Sequence, residues 1–240
     1  MKIEDLEREL QSVNGWLSRN EIRFLYETAR AAKGEGVILE IGSWQGKSTI
    51  CLGRGSGEGA KVPIYAVDPH QDSYVHEDIV GRGVSTFEIF KNNIKKAGVD
   101  GLVTPIVKKS EDGVKGWNTP ILFLWIDGDH RYDEVKKDFD LWSPFVVEGG
   151  VVAFHDSNYD DVQRFLEKEV LPLSGYKDAH LVDSITAVTK SSHHTALDSA
   201  KSRYIVFMNH VENMLRAIPI SGNARVRLKK AAKGIMNNLT

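Results

Sequence analysis

Two stretches of this chain run from an apolar segment straight into groups that can hold protons or cations. Leu124-Trp125-Ile126 leads into Asp127-Gly128-Asp129-His130, and Gly149-Gly150-Val151-Val152-Ala153-Phe154 leads into His155-Asp156. If the apolar runs are neighbouring parallel strands, Asp127, Asp129, His130, His155 and Asp156 meet at one sheet edge. Carboxylates with an imidazole can bind a divalent cation, and a mostly oxygen set favours Mg²⁺, Mn²⁺ or Ca²⁺ over structural zinc. The same residues can move a proton. Asp129 lies two residues beyond the ligand candidate Asp127 and is the first choice of general base. His130 is the second, because imidazoles titrate near neutrality; its plainer role is a hydrogen-bonded residue at the start of the next helix.

A second constellation lies upstream in Glu40-Ile41-Gly42-Ser43-Trp44-Gln45-Gly46-Lys47-Ser48-Thr49. Gly42 and Gly46 permit a tight turn and close backbone approach to a ligand. Three ligand chemistries compete for it. A phosphate-binding P-loop needs four residues between its glycines before Lys-Ser/Thr, and this chain has three. A dinucleotide turn wants glycine two residues after the first, where Trp44 stands. The third is an S-adenosylmethionine turn, in which an acidic residue ends the strand and two glycines flank the bend; Glu40, Gly42 and Gly46 fit it, with Ser43 and Ser48 inside the same segment. Asp68, closing Ile64-Tyr65-Ala66-Val67, is placed to bind the two hydroxyls of a ribose. It is equally a helix-capping residue on local grounds. Ser110-Glu111 follows Val103–Val107 and would lie beside an adenine, or simply open a helix.

The elements that must position these groups follow from the hydrophobic pattern. Residues 37–41, 64–67, 103–107, 121–126 and 151–154 are apolar throughout rather than alternating, as strands covered on both faces are. Helical patterns separate them, starting near Lys47, from Ser85 as cap, and over 131–142. Strand and helix therefore alternate, which predicts an α/β fold: a doubly wound, mostly parallel, seven-stranded Rossmann-like sheet. Residues 180–182 and 185–188 flank Asp183-Ser184 and predict a hairpin adding an antiparallel edge strand. The chain divides into helices over 1–34, a nucleoside-binding domain over 35–190, and an extension over 191–240. In that extension, 191–201 reads as a polar linker with solvated His193-His194, and 223–237 as a basic helix suited to a solvated face or a contact between two copies. Residues 70–83 read as a surface loop or a lid.

Bulk properties narrow the partners. A net charge of −2 gives no general attraction to nucleic acid or membrane. No apolar run reaches the roughly 20 residues that span a bilayer. Glu4, Asp5 and Glu7 replace the apolar core of a signal peptide. Cys51 is the single cysteine, which excludes an intrachain disulfide and makes a reducing cytoplasm the default.

Taken together, Glu40-Ile41-Gly42-Ser43 through Gly46-Lys47-Ser48-Thr49, Val67-Asp68, Ile126-Asp127-Gly128-Asp129-His130-x-Tyr132 and Gly149-Gly150 through His155-Asp156 resemble the class I S-adenosylmethionine-dependent methyltransferases. The likeness is greatest to the group related to catechol-type and macrolide-sugar O-methyltransferases, and covers roughly residues 35–190. It implies that Glu40, Gly42, Asp68, Ser110 and Glu111 hold the cofactor, with Ser43, Gly46, Ser48 and Asp127 in the same pocket. It also implies that Asp127 and Asp156 ligate a metal such as Mg²⁺. Related sugar methyltransferases carry Asp-Asp or Asp-Asn where this chain has His155-Asp156. His155 is thus a third ligand, a group that tunes Asp156, or the mark of a metal-free branch. The implied activity is O-methylation of a small hydroxylated acceptor, a sugar or natural product, with a metal-independent enzyme or an inactive nucleoside-binding module as alternatives.

Overall fold

A computed structural model of the chain describes residues 1–71 and 85–217, with side chains up to Val211 in the final helix. Two amphipathic helices come first, α1 (Ile3–Leu10) and α2 (Arg19–Ala31). A capping box starts α2: the Glu21 N–H donates to Ser18 Oγ, and the Ser18 N–H donates to Glu21 Oε2 at 2.7 Å. Strands and helices then alternate: β1 (Val37–Ile41), α3 (Lys47–Glu58), β2 (Ile64–Val67), α4 (Phe87–Lys96), β3 (Val103–Ile106), the short α5 (Ser110–Gly113), β4 (Ile121–Ile126), α6 (Tyr132–Trp142), β5 (Val146–Phe154) and α7 (Asp160–Phe165). The hairpin β6 (Tyr176–Val182) and β7 (Ile185–Lys190) and the long α8 (Ala196–Ala217) complete the described chain. No helix among the described residues is long and apolar enough to cross a membrane.

The seven strands form one sheet in the order β3-β2-β1-β4-β5-β7-β6. The first five are parallel, and β7 runs antiparallel to both β5 and β6. Strand order reverses between β1 and β4, so the crevice beyond their carboxyl ends is the switch point where doubly wound sheets bind ligands. Side-chain alternation splits the core in two. Leu39, Ile41, Ile126 and Phe154 pack against α6 and α7 through Val135, Phe139 and Phe165. Ile38, Phe123 and Trp125 pack on the opposite face against Leu25, Tyr26, Ile50 and Leu52 of α2 and α3.

The structure departs from the sequence reading at a few places. Strand β5 begins at Val146 rather than Val151, because Gly149 at φ 77° lets it step past an irregularity opposite Ile121 and Phe123. Helix α4 starts at Phe87 with Thr86 as its cap, while Ser85 accepts from the Phe87 N–H at 3.2 Å. The expected linker 191–201 is half helix: Thr195 Oγ1 donates to Asp198 Oδ2 at 2.5 Å, the Asp198 N–H returns to Thr195 Oγ1 at 3.3 Å, and α8 starts at Ala196. His193 is exposed as expected, but His194 is half-buried, its ring bridging the Tyr176 carbonyl at 2.7 Å and Ser199 Oγ at 2.9 Å. Most of the expected lid and the basic helix over 223–237 lie outside the described residues.

Candidate active site at the carboxyl ends of the strands

Backbone hydrogen bonds carry the sheet one residue past the strand ends. Gly42 N donates to Val67 O at 2.9 Å, Asp127 N to Ile41 O at 2.8 Å, Asp68 N to Ile106 O at 3.1 Å and His155 N to Ile126 O at 3.0 Å. Gly42, Asp68, Asp127 and His155 therefore stand side by side on one edge. Gly42 has φ 85°, and a Cβ there would sit 2.1 Å from the Asp127 carbonyl oxygen, so only glycine admits this approach of the two strand ends.

The turn after β1 is fixed from below and from the side. Glu40 falls on the α3 face of β1 and is completely buried. Ser48 Oγ and Thr49 Oγ1, in the first turn of α3, each donate to it at 2.5 Å. Burial, reinforced by Asp127 and Asp68 and opposed by the two hydroxyls, pushes the Glu40 carboxyl up to about 8. Glu40 and Ser48, both expected at the cofactor, are thus hydrogen-bonded to each other beneath the turn. Asp68 is buried beside it, accepting from the Trp44 N–H at 2.8 Å and the His70 N–H at 2.6 Å. Trp44 takes the left-handed region at φ 40°. That conformation costs a residue with a side chain on the order of 1–2 kcal/mol. Ser43 Oγ is enclosed and has no hydrogen-bond partner among the described residues.

The residues after β3 are tied to α6. Ser110 Oγ accepts from Trp142 Nε1 at 2.8 Å and hydrogen-bonds Asp138, whose carboxyl burial pushes up to about 6. Glu111 faces Lys137 at 3.6 Å.

Ionised groups dominate the β4 and β5 side. Alternation turns Asp127 and His155 toward α2, opposite Ile126 and Phe154. His155 Nδ1 lies 3.0 Å from Asp127 Oδ1 and 3.3 Å from Asp156 Oδ2, and its Nε2 lies 3.7 Å from Glu21 Oε2. Burial alone would discharge this imidazole, but Asp127, Asp156 and Glu21 outweigh it and raise it to about 12. Glu21 is buried too; the His155 imidazolium 3.7 Å away and hydrogen bonds from Ser184 and Ser18 overcome its desolvation and bring it down to about 2. Ser184 holds it twice, through N at 2.9 Å and Oγ at 2.6 Å.

His130 Nε2 is 3.3 Å from Asp156 Oδ2, and its ring lies on Tyr159 with centroids 5.0 Å apart. Asp127, His130 and Asp156 each offer a ligand atom within 4.8 Å of the others. The imidazole in that group is His130, whereas His155 faces Asp127 and Glu21 from beneath. Asp129 is not in it. Its carboxylate takes Arg131 Nε at 3.0 Å and Nη2 at 2.7 Å, and that guanidinium holds it below the usual carboxylate range. A cleft of about 720 Å³, lined by Asp129, His130, Tyr159 and Asp160, opens beside the group. Sequence reasoning missed Glu21, although a Glu three residues after Ser18 at the head of an apolar helix was a readable capping signal.

The profile of the methyltransferase domain family matches residues 39–157. An uncharacterised protein of Acanthamoeba polyphaga mimivirus is 28% identical over 128 residues, 52% of this chain and 52% of that protein, so the chain spans about half the length of this curated relative. Among solved structures, the O-methyltransferase TomG from Streptomyces achromogenes, involved in tomaymycin synthesis and in complex with SAM, superposes with a TM-score of 0.56 at 19% identity, covering 79% of this chain and 88% of its own. The O-methyltransferase from Bacillus cereus in complex with SAH gives 0.55 at 19% identity, over 78% and 90%. At such identities these structures establish a shared fold.

Proposed function

We propose that this chain, whose residues 39–157 match the methyltransferase domain family, transfers the methyl group of S-adenosylmethionine to a hydroxyl of a small acceptor. The observation that carries this reading is the alignment of Gly42, Asp68 and Asp127 on one edge, with the His130–Asp156 pair next to them. The cofactor fits the residues present. The enclosed Ser43 Oγ lacks a partner among the described residues, the bend at Gly42 leaves backbone beside it, and Asp68 is held rigid by two N–H donors with lone pairs to spare for ribose hydroxyls. Gly46 caps α3 at φ 89°, and Glu40 and Ser48 act from beneath, through the shape of the turn.

Methyl transfer from a sulfonium is an in-line displacement, so alignment of the acceptor oxygen is a large part of the work. The acceptor binds in the cleft beside His130 and Tyr159. Its oxygen forms the new bond to the methyl carbon, the C–S electron pair stays on sulfur, and the hydroxyl proton passes to a base. His130, open to the cleft and backed by Asp156, is better placed for that proton than Asp129, which is committed to Arg131.

A divalent cation fits the two carboxylates Asp127 and Asp156 by donor chemistry and spacing, with water in its remaining positions, so that His130 beside them keeps a lone pair for the proton. Bound there, it would lower the pKa of an acceptor hydroxyl. One observation favours a second, metal-independent reading: the buried His155 already places a cationic donor against both carboxylates. The test is a thermal-shift and methyl-transfer series with S-adenosylmethionine, S-adenosylhomocysteine and NAD over a panel of hydroxylated acceptors, with Mg²⁺ or EDTA. Stabilisation by the two sulfur nucleosides and Mg²⁺-dependent turnover are expected; a ligand at 100 times its Kd adds about 2.7 kcal/mol. Stabilisation by NAD alone would overturn the function, and full turnover in EDTA would select the metal-independent reading.

A further inference from the structure

Residues 14–16, outside the family match, are bound to the turn after β1 at three points. Asn14 Nδ2 donates to Gln45 Oε1 at 3.1 Å, Lys47 Nζ donates to the Gly15 carbonyl at 2.9 Å, and the Trp16 ring stacks on Trp44 with centroids 5.2 Å apart and planes 13° from parallel. The fit is close: a Cβ on Gly15, which has φ 138°, would meet Lys47 Cδ at 3.0 Å. From the other side Asn93 Nδ2 donates to the Gln45 carbonyl at 2.8 Å, so Gln45 is gripped by two segments. Between these grips sits Trp44, a bulky residue in the left-handed region, whose N–H fixes Asp68. Trp16 is 63% exposed. The stack is made at the surface and over the one strained residue of the turn.

We infer that the Asn14–Trp16 segment is a positioning clamp for the cofactor: by stacking on Trp44 and holding Gln45 and Lys47, it keeps Trp44 left-handed and Asp68 aimed at the ribose. Trp16 acts through Trp44 and touches no reacting atom. The inference rests on the reading of Asp68 as a ribose ligand, but its first readout needs no ligand. In the full-length protein, hydrogen exchange at the Trp44 amide is expected to speed up about tenfold in Trp16→Ala and to stay within about twofold of wild type in Trp16→Phe, which keeps an aromatic face. The dissociation constant for S-adenosylhomocysteine is expected to rise about tenfold in Trp16→Ala, with rescue by Trp16→Phe. In a Trp44→Gly background, where glycine takes the left-handed conformation without strain, Trp16→Ala should change that constant less than about twofold.

Unaltered Trp44 exchange in Trp16→Ala overturns the clamp, and so does an equal loss of affinity in both backgrounds. A wild-type protein that binds no S-adenosylhomocysteine sinks the methyltransferase reading instead, and the exchange result still decides the clamp. Because Trp16 is mostly exposed, the variants are expected to keep the wild-type thermal midpoint within a few degrees, which a melting curve checks.

Discussion

Glu40 and Glu21 are both buried carboxyls on the same face of the sheet, one beneath the turn after β1 and the other beneath the end of β5. Their surroundings drive them in opposite directions. Glu40 meets two neutral hydroxyls and two other carboxylates, and is held near 8. Glu21 meets a cationic imidazole, a hydroxyl and two backbone N–H groups, and is held near 2. The β1–β2 side of the crevice is thus built from backbone geometry around a carboxyl whose proton burial favours, while the β4–β5 side is built from charge. The division suits the proposed chemistry. A sulfonium nucleoside needs a shaped, rigid turn, whereas a hydroxyl that must lose a proton needs fixed charges nearby.

The largest effect expected from breaking the geometric half is at Gly42. Alanine there puts a methyl group 2.1 Å from the Asp127 carbonyl, in a conformation alanine also disfavours. Gly42→Ala should cost at least about 4 kcal/mol in chemical denaturation and abolish nucleoside binding; ordinary stability would mean that the two strand ends are not locked together. Next comes the charged half. Glu21→Gln leaves His155 facing an amide and should cost about 3 kcal/mol at pH 7, the usual loss when one partner of a buried pair is removed. The folded carboxyl lies below its ordinary 4.5, so its stabilisation is complete above 4.5 and is lost as pH falls toward 2. The gap between variant and wild type must therefore narrow from pH 5 to pH 3, and a constant gap would show that charge is not what Glu21 contributes.

The same substitution in the geometric half should be mild. In Glu40→Gln the amide can accept from one hydroxyl and donate to the other, so at pH 5 the loss should stay under about 1 kcal/mol. Wild-type Glu40 is raised above its ordinary 4.5, so folding is progressively disfavoured as pH rises from 4.5 through 8 and evenly so beyond. The variant should gain on wild type across that window and level off above it. Parallel stability curves for the two proteins would mean that Glu40 is ionised in the fold and that the contrast with Glu21 is false.

The parts of this design that were legible in the sequence are those with a local period. Continuous apolar runs marked β1, β2 and β4 almost to the residue, and the acidic residues ending them marked the edge. What escaped depends on contacts distant in sequence or on which way a side chain turns at a strand end. Glu21 and His155 are far apart along the chain, and nothing near either one announces the pair. That His155 rather than His130 drops beneath the site follows from one more backbone rung, His155 N to Ile126 O, which extends the alternation of β5 by a residue. The half-helical linker escaped for the opposite reason. Its Thr195-x-x-Asp198 cap is local, but the polar run Ser191–Thr195 ahead of it reads as loop.

Asp129 is where the two accounts differ most for the least expected effect. The spacing Asp127-x-Asp129 made it the first choice of base, yet Arg131, two residues on, takes both of its oxygens. That pair is open to solvent, with 43% of the Asp129 side chain and 72% of the Arg131 side chain exposed, so it contributes little to stability. A carboxylate held below its usual range by a guanidinium is also a weaker proton acceptor than a free one. Asp129→Asn should therefore leave turnover within about threefold of wild type, whereas His130→Ala should lower it about a hundredfold, within the usual range for loss of a general base. Measuring both under saturating cofactor separates the carboxylate that the spacing suggested from the imidazole that the fold brings to Asp156. A hundredfold loss in Asp129→Asn, with His130→Ala near wild type, would return the proton to the carboxylate and leave Arg131 as a partner that must release it in each turnover.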